Sequence, residues 1–271
     1  MMNFFAATEM HVSLTAETVF TIGGVAVTNA MLLGVIGTIL VLVIMFTAAR
    51  MQKRGKNNFF LGLFRWAFES LYGQITDIIT DKKLARSIAP LALTIFFFVL
   101  INYWLSILPG VGTVTFNGVP VFRALVADLN FTFALALITM IAVQLYAIKK
   151  MGLFGNAKRY LRNPFKDPIG AFEGFLELIG EFSRGLALSF RLFGNAFAGE
   201  ILLMVAGLLT GYFASLALPI FMAFELFIGF IQAYVFFVLT VIFTSLAQET
   251  HGAHDDDHSP SEPKLTEAKQ E

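Results

Sequence analysis

The chain has 271 residues, 57% of them hydrophobic and only 14% charged, where a water-soluble domain carries about 25% charged residues. Nineteen basic residues balance nineteen acidic ones, so no cationic field points to a nucleic-acid partner. With no cysteine, disulfide, thiolate and cysteine–zinc chemistry are excluded.

Residues 1–28 contain no Lys or Arg, so the basic start of a secretory signal peptide is missing. This N-terminal segment is expected outside the cytoplasm, with insertion relying on the first span. About 20 apolar residues cross a hydrocarbon core of about 30 Å, and residues 29–150 hold three such runs. The first, Asn29 to Ala49, opens on a capping Asn and closes at Arg50. Residues 59–80 mix Phe, Leu, Trp and Ile with Arg65, Glu69 and Asp77, which predicts an amphipathic helix lying along the membrane surface. The second span runs from Ser87 to Leu108, with Pro90 in its first turn and Pro109 as its stop. The third, Ala127 to Ile148, has Asp128 near its start and Lys149-Lys150 at its end. A basic loop, residues 151–166, follows.

Residues 167–248 have a different character. Asp167-Pro168 is a cap followed by Pro at the first helical position. Helix-compatible apolar sequence then continues for about forty residues, or about 60 Å as one helix. That is twice the hydrocarbon thickness, so the helix must tilt, bend or break. After Gly211-Tyr212-Phe213 and Pro219, a second long run reaches Gln248. The pair reads as a strongly tilted antiparallel hairpin, making an all-α membrane protein of five membrane helices. Residues 249–271 are polar, acidic and broken by Pro260 and Pro263, the composition of a disordered tail. Within it His251, His254 and His258 flank Asp255, Asp256 and Asp257. A flexible acidic tail explains them better than a metal site, and no metal or cofactor is expected.

Basic residues orient the chain. Arg50, Lys53, Arg54 and Lys56 follow the first span, and Lys149, Lys150, Lys158, Arg159, Arg162 and Lys166 follow the third. The loop between the second and third spans has only Arg123, and the hairpin turn has none. The N-terminus is therefore expected outside and the C-terminus in the cytoplasm.

Arg191 lies deep in the first arm of the hairpin. A guanidinium stays cationic wherever it is put, and one at bilayer depth costs about 2.5–3.5 kcal/mol on insertion scales. Such a residue is expected to face a carboxylate or an ion path. Helical periodicity places Arg184, Ala187, Gly194, Asn195 and Ala198 on its face, and the small residues among them admit a close partner helix. Glu200 points to the opposite side, about 13.5 Å further along the axis. With the turn centred near Tyr212–Phe213, antiparallel pairing sets Glu225 level with Glu200 and Gln232 near the level of Arg191. Two neighbouring carboxylates in low dielectric cannot both ionise cheaply, so at least one is expected to hold an exchangeable proton.

Towards the cytoplasm, Glu177, Arg184 and Arg191 step along one side at intervals of seven, forming a polar track. Glu173 and Glu181 read as carboxylates solvated at a helix end. Asn102, Asp128 and Asn130 fit an outer path, as does Gln144, although caps and helix–helix contacts explain them equally well. There is no phosphate-cradling glycine loop followed by Lys, so no catalytic centre for nucleotides is expected on this chain. A self-standing proton-coupled secondary transporter is the alternative function, but the repeated halves common in transporters are not evident.

Phe190-Arg191-Leu192-Phe193-Gly194-Asn195-Ala196-Phe197-Ala198-Gly199-Glu200 closely resembles the signature of subunit a of F-type ATP synthases. So does Gln232-Ala233-Tyr234-Val235-Phe236-Phe237-Val238-Leu239-Thr240. The likeness is dense from Phe172 to Gln248, weaker before, and also touches Val121 to Leu137. It implies a stator beside a rotating c-ring whose subunits each carry a mid-membrane carboxylate. Peripheral-stalk b subunits would be further partners, H⁺ or Na⁺ the coupling ion, and the bacterial plasma membrane the location. On this resemblance Arg191 matches the essential arginine, Glu200 and Glu225 the ion-path pair, and Gln232 its glutamine. Asn195 and Glu177 also fall on family positions. The chain departs from the pattern where the pair is often one His and one carboxylate, and where many members carry an acidic residue near the outer end of the second span, a neighbourhood in which this chain has Ser106.

Overall fold

The computed structural model describes residues 16–55, 58–108, 111, 115–116, 119–160 and 168–248. The Asp167 cap and the His- and Asp-containing tail fall outside these. Four stretches among the described residues are long and apolar enough to cross a membrane: Asn29–Lys53, Lys82–Ser106, Leu129–Ala157 and Pro168–Leu246.

Part of the N-terminal segment folds as a hairpin. Strands β1 (Thr18–Ile22) and β2 (Val25–Thr28) pair antiparallel around Gly23 and Gly24, at φ 57° and 87°. Positive φ at both central residues is the turn whose twist matches that of paired strands. Thr28 then caps helix α1 (Asn29–Lys53), its Oγ1 accepting the Met31 N–H at 3.3 Å. The cap is thus Thr28, not Asn29. The Asn29 side chain instead joins segments, its Oδ1 accepting from the N–H groups of Glu17 and Ala30. Its Nδ2 donates to the Pro120 carbonyl at 3.2 Å. That bond ties the first hairpin to a second, formed by β3 (Thr115–Phe116) and β4 (Val119–Pro120).

Helix α2 (Phe59–Ile78) buries Leu61, Leu71 and Ile75 while leaving Phe59, Phe60, Leu63 and Trp66 exposed. Its Phe64 ring stacks on Phe97 at 5.0 Å. Helix α3 (Lys82–Ser106) starts earlier than expected, because the Asp81 carboxylate accepts the Lys83 N–H at 2.9 Å and caps it. Pro90 is therefore inside the helix, beyond its first turn. The main core centres on α3, whose Ile88, Ala92, Phe96, Val99 and Tyr103 pack with Leu188, Leu192, Ala233 and Phe237. The Phe96 ring meets Phe97 and Phe237 edge-on.

A short 3-10 turn, Leu125–Ala127, leads into helix α4 (Leu129–Tyr160). Asp128 caps it, accepting the Asn130 N–H at 3.0 Å. Gly152, at φ 77°, interrupts the helical backbone, a conformation glycine adopts without a Cβ clash. Residues beyond it, read from sequence as loop, remain helical to Tyr160. Helix α5 (Pro168–Thr210) has 43 residues, or about 65 Å. Gly211, at φ 48°, ends it in the left-handed region, as helix C-termini commonly do. Helix α6 (Ala214–Leu246) begins before Pro219, which lies inside it.

The contact of α1 with α3 has no spare room. A Cβ on Gly37 would strike the Asn102 Oδ1. Gly37→Ala is expected to destabilise the subunit by about 1–3 kcal/mol, the usual cost of overpacking. Thermal unfolding in detergent should show a lower Tm than for Gly62→Ala, where a Cβ meets nothing within 4 Å.

Candidate functional site

The register of α5 against α6 builds the site. A Cβ on Gly199 would collide with the Glu225 carboxylate, and one on Gly207 would meet the Leu218 side chain at 3.8 Å. These pairings mirror each other about residue 212, so the helices run antiparallel from the Gly211–Phe213 turn. Without a side chain, Gly199 lets Glu225 lie against the α5 backbone, the close approach that small residues permit.

An outer cluster forms around this contact. Glu225 is 3% exposed, and its Oε1 accepts the Tyr103 hydroxyl at 2.7 Å. Glu200, in the next position after Gly199, accepts the Ala124 N–H at 3.3 Å. Its Oε2 lies 3.8 Å from the Arg123 Nε, and the arginine side chain is only 9% exposed. Two carboxylates from α5 and α6 thus meet a hydroxyl from α3 and a cation from the segment before α4. Sequence reasoning missed both Tyr103 and Arg123. The signal for Arg123 was its position, the one basic residue between the second and third spans. Of the other outer residues, Asn102 is buried against α1, Asp128 is buried as a cap, and Asn130 is exposed. The Ser106 hydroxyl donates to the Tyr103 carbonyl.

At the middle level stands Arg191. Leu188, Ser189, Leu192, Ala196 and Gly199 form the buried side of α5, whereas Arg191, Ala187, Gly194 and Ala198 are exposed. Arg184 and Asn195 are half-buried at the edge of that face. Among the described residues Arg191 has neither an ion pair nor a hydrogen bond. Gln232, on α6, is half-buried. No hydrogen bond joins it to Arg191.

An inner cluster occupies the other end of α5. Glu181 accepts the Tyr160 hydroxyl at 2.5 Å and a further bond from the Gln144 Nε2. Asn156 donates to the Gln144 Oε1 at 3.0 Å. The Arg184 Nη2 lies 3.9 Å from the Glu181 Oε1, whose side chain is 12% exposed. Glu181 is therefore a positioned carboxylate and not the solvated helix-end residue expected from sequence. The sequence pattern beyond Gly152 reads as loop, whereas α4 continues there and brings Tyr160 and Asn156 into this cluster. Glu173 is exposed and Glu177 half-buried.

Apolar helices enclosing ionisable clusters at two depths, with a bare cation between them, define a multi-pass membrane protein. A family model described as ATP synthase A chain matches residues 31–245. The chain is 36% identical to ATP synthase subunit a of Mycobacterium leprae (strain TN) over 174 residues, 64% of this chain and 67% of that one. It is 34% identical to the subunit a proteins of Mycobacterium ulcerans (strain Agy99) and Mycobacterium marinum (strain ATCC BAA-535 / M). Each of these matches spans 183 residues, 67% of this chain and 71% of the relative. The chain belongs to the ATP synthase A chain family, and so to the membrane machinery of ATP synthesis and proton transport.

Proposed function

We propose that the chain is the stator subunit of a rotary ATP synthase, carrying two offset proton half-channels to and from a c-ring. In this reading α1, α3, α4, α5 and α6 cross a bacterial inner membrane. α5 and α6 are strongly tilted, and α2 lies at the surface. The N-terminus is outside and the C-terminus cytoplasmic, with b-type peripheral-stalk subunits as further partners.

The carrying observation is the contrast among three arginines. Arg123 and Arg184 each lie within 4.0 Å of a glutamate, while Arg191 is exposed on a small-residue face without such a partner among the described residues. A cation left open at bilayer depth calls for a carboxylate from another polypeptide. A proton entering from outside passes Glu200 and Glu225 to a ring carboxylate, which as a neutral acid can turn through lipid cheaply. At the end of its circuit the field of Arg191 favours the ionised form, and the proton leaves past Asn195 and Glu177. Gln232, near the level of Arg191, holds the ring acid in place by hydrogen bonding. Each charge moved supplies about 2.3 kcal/mol per 100 mV.

Because the chain has no cysteine, Ala198→Cys introduces its one thiol, on the Arg191 face. In the assembled enzyme it should form a disulfide with a ring subunit bearing Cys near its carboxylate, whereas Leu145→Cys on α4 should not. Equal crosslinking from both positions, or none from Ala198→Cys, defeats the placement. Native mass determination separates the rival reading, since a self-standing transporter would be recovered without a ring oligomer.

A further inference from the structure

Arg184 and Arg191 stand seven residues apart on α5, near one face and separated by about 10.5 Å along the axis. Their surroundings differ. Arg191 is exposed, whereas the Arg184 guanidinium is turned back towards the start of the helix. Its Nη1 is 4.0 Å from where a Cβ on Gly180 would stand, and its Nη2 is 3.9 Å from the Glu181 Oε1. Its Cζ lies 5.6 Å from the centre of the Phe243 ring on α6, within cation–π reach. Glu181 is itself held by Tyr160 and Gln144. Beside Glu181 and Arg184 is a cavity of about 30 Å³ between α4, α5 and α6, room for about one water.

We propose that Glu181 is a positioning residue that draws the Arg184 guanidinium towards the cytoplasmic end of α5, leaving Arg191 to act alone on the ring carboxylate. The inference rests on the stator reading above. Without the Glu181 charge, Arg184 is free to extend along the face it shares with Arg191. Its positive field then opposes arrival of a proton from the cytoplasm. A unit charge about 10 Å away, at an effective dielectric constant of about 20, changes a protonation equilibrium about tenfold.

The test uses intact ATP synthase in reconstituted vesicles. Glu181→Gln, which keeps an acceptor for Tyr160 but loses the charge, should slow ATP-driven proton pumping about tenfold. Glu181→Gln combined with Arg184→Gln should regain most of the rate. Tyr160→Phe, which leaves the Glu181 charge in place, should pump much as the parent does. A purely structural role predicts the reverse, with impaired Tyr160→Phe and no rescue in the double variant. A double variant as slow as Glu181→Gln, or a Glu181→Gln enzyme as fast as the parent, overturns the proposal. So does failure of both Glu181 variants to assemble with the ring, which would assign Glu181 to the hydrogen-bonded clamp alone. The outcome is separable from the stator reading, which fails instead if an Arg191 variant pumps normally.

Discussion

Arg191→Ala is expected to abolish ATP-driven proton pumping in reconstituted vesicles while the enzyme remains assembled. The fold has little stake in this side chain, because Arg191 is exposed and unpaired among the described residues. Surface substitutions of that kind usually change stability by no more than about 0.5 kcal/mol. The proposed ring contact has a large stake. A carboxylate about 4 Å from a fixed cation gains about 4 kcal/mol at an effective dielectric constant of about 20, about a thousandfold in its ionisation equilibrium. Without the cation, the ring acid has no reason to release its proton at this level, and rotation loses its coupling. In the proposed mechanism the same fixed charge stands between the outer and inner clusters, so its loss would also open a direct route. Passive proton leak through the complex is expected to rise in Arg191→Ala. Arg191→Lys should restore the function only in part, since an ammonium is a point charge that can lose its proton where a guanidinium cannot. Pumping by Arg191→Ala at the parental rate would remove the arginine from the mechanism.

The hairpin register was legible because it follows from arithmetic along one chain. A turn at Gly211–Phe213 and a constant helical rise bring the level of Glu200 to that of Glu225, and the contact of Gly199 with Glu225 has that register. The faces of α5 were legible for the same reason, as helical periodicity separates the small exposed residues beside Arg191 from buried Leu188 and Leu192. Partners supplied from distant sequence were not. Tyr103 reaches Glu225 across 122 positions, and Arg123 reaches Glu200 from the far side of α4, through packing that no local pattern encodes. The N-terminal hairpin had a local sign, Gly23-Gly24 between β-branched and aromatic residues, which is a recognisable turn signal. Pro90 misled in the opposite sense: proline is favoured in a first turn, but the Asp81 cap starts α3 earlier and places Pro90 within it.

Replacing Glu200 and Glu225 together with Gln is expected to slow proton transfer on the order of a hundredfold, within the range ascribed to positioned acid–base groups. Assembly should survive, because each amide still presents an oxygen to the N–H or O–H that the carboxylate accepts. The single variants carry different structural burdens. Glu200→Gln removes the carboxylate charge that lies 3.8 Å from the Arg123 Nε, at a cost in charge pairing on top of any effect on proton transfer. Combining it with Arg123→Gln isolates the proton-transfer effect from that cost. Glu225→Gln has no such complication, since its partner is the neutral Tyr103 hydroxyl. If the two carboxylates act in series, the double variant is no slower than the slower single, because groups that act as a unit are not additive. If they serve parallel routes, each single retains much of the rate and only the double is crippled. Proton uptake measured by a pH-sensitive dye, with ATP hydrolysis recorded alongside, separates these cases. An unchanged rate in the double variant excludes the pair, and the outer path must then run past other groups.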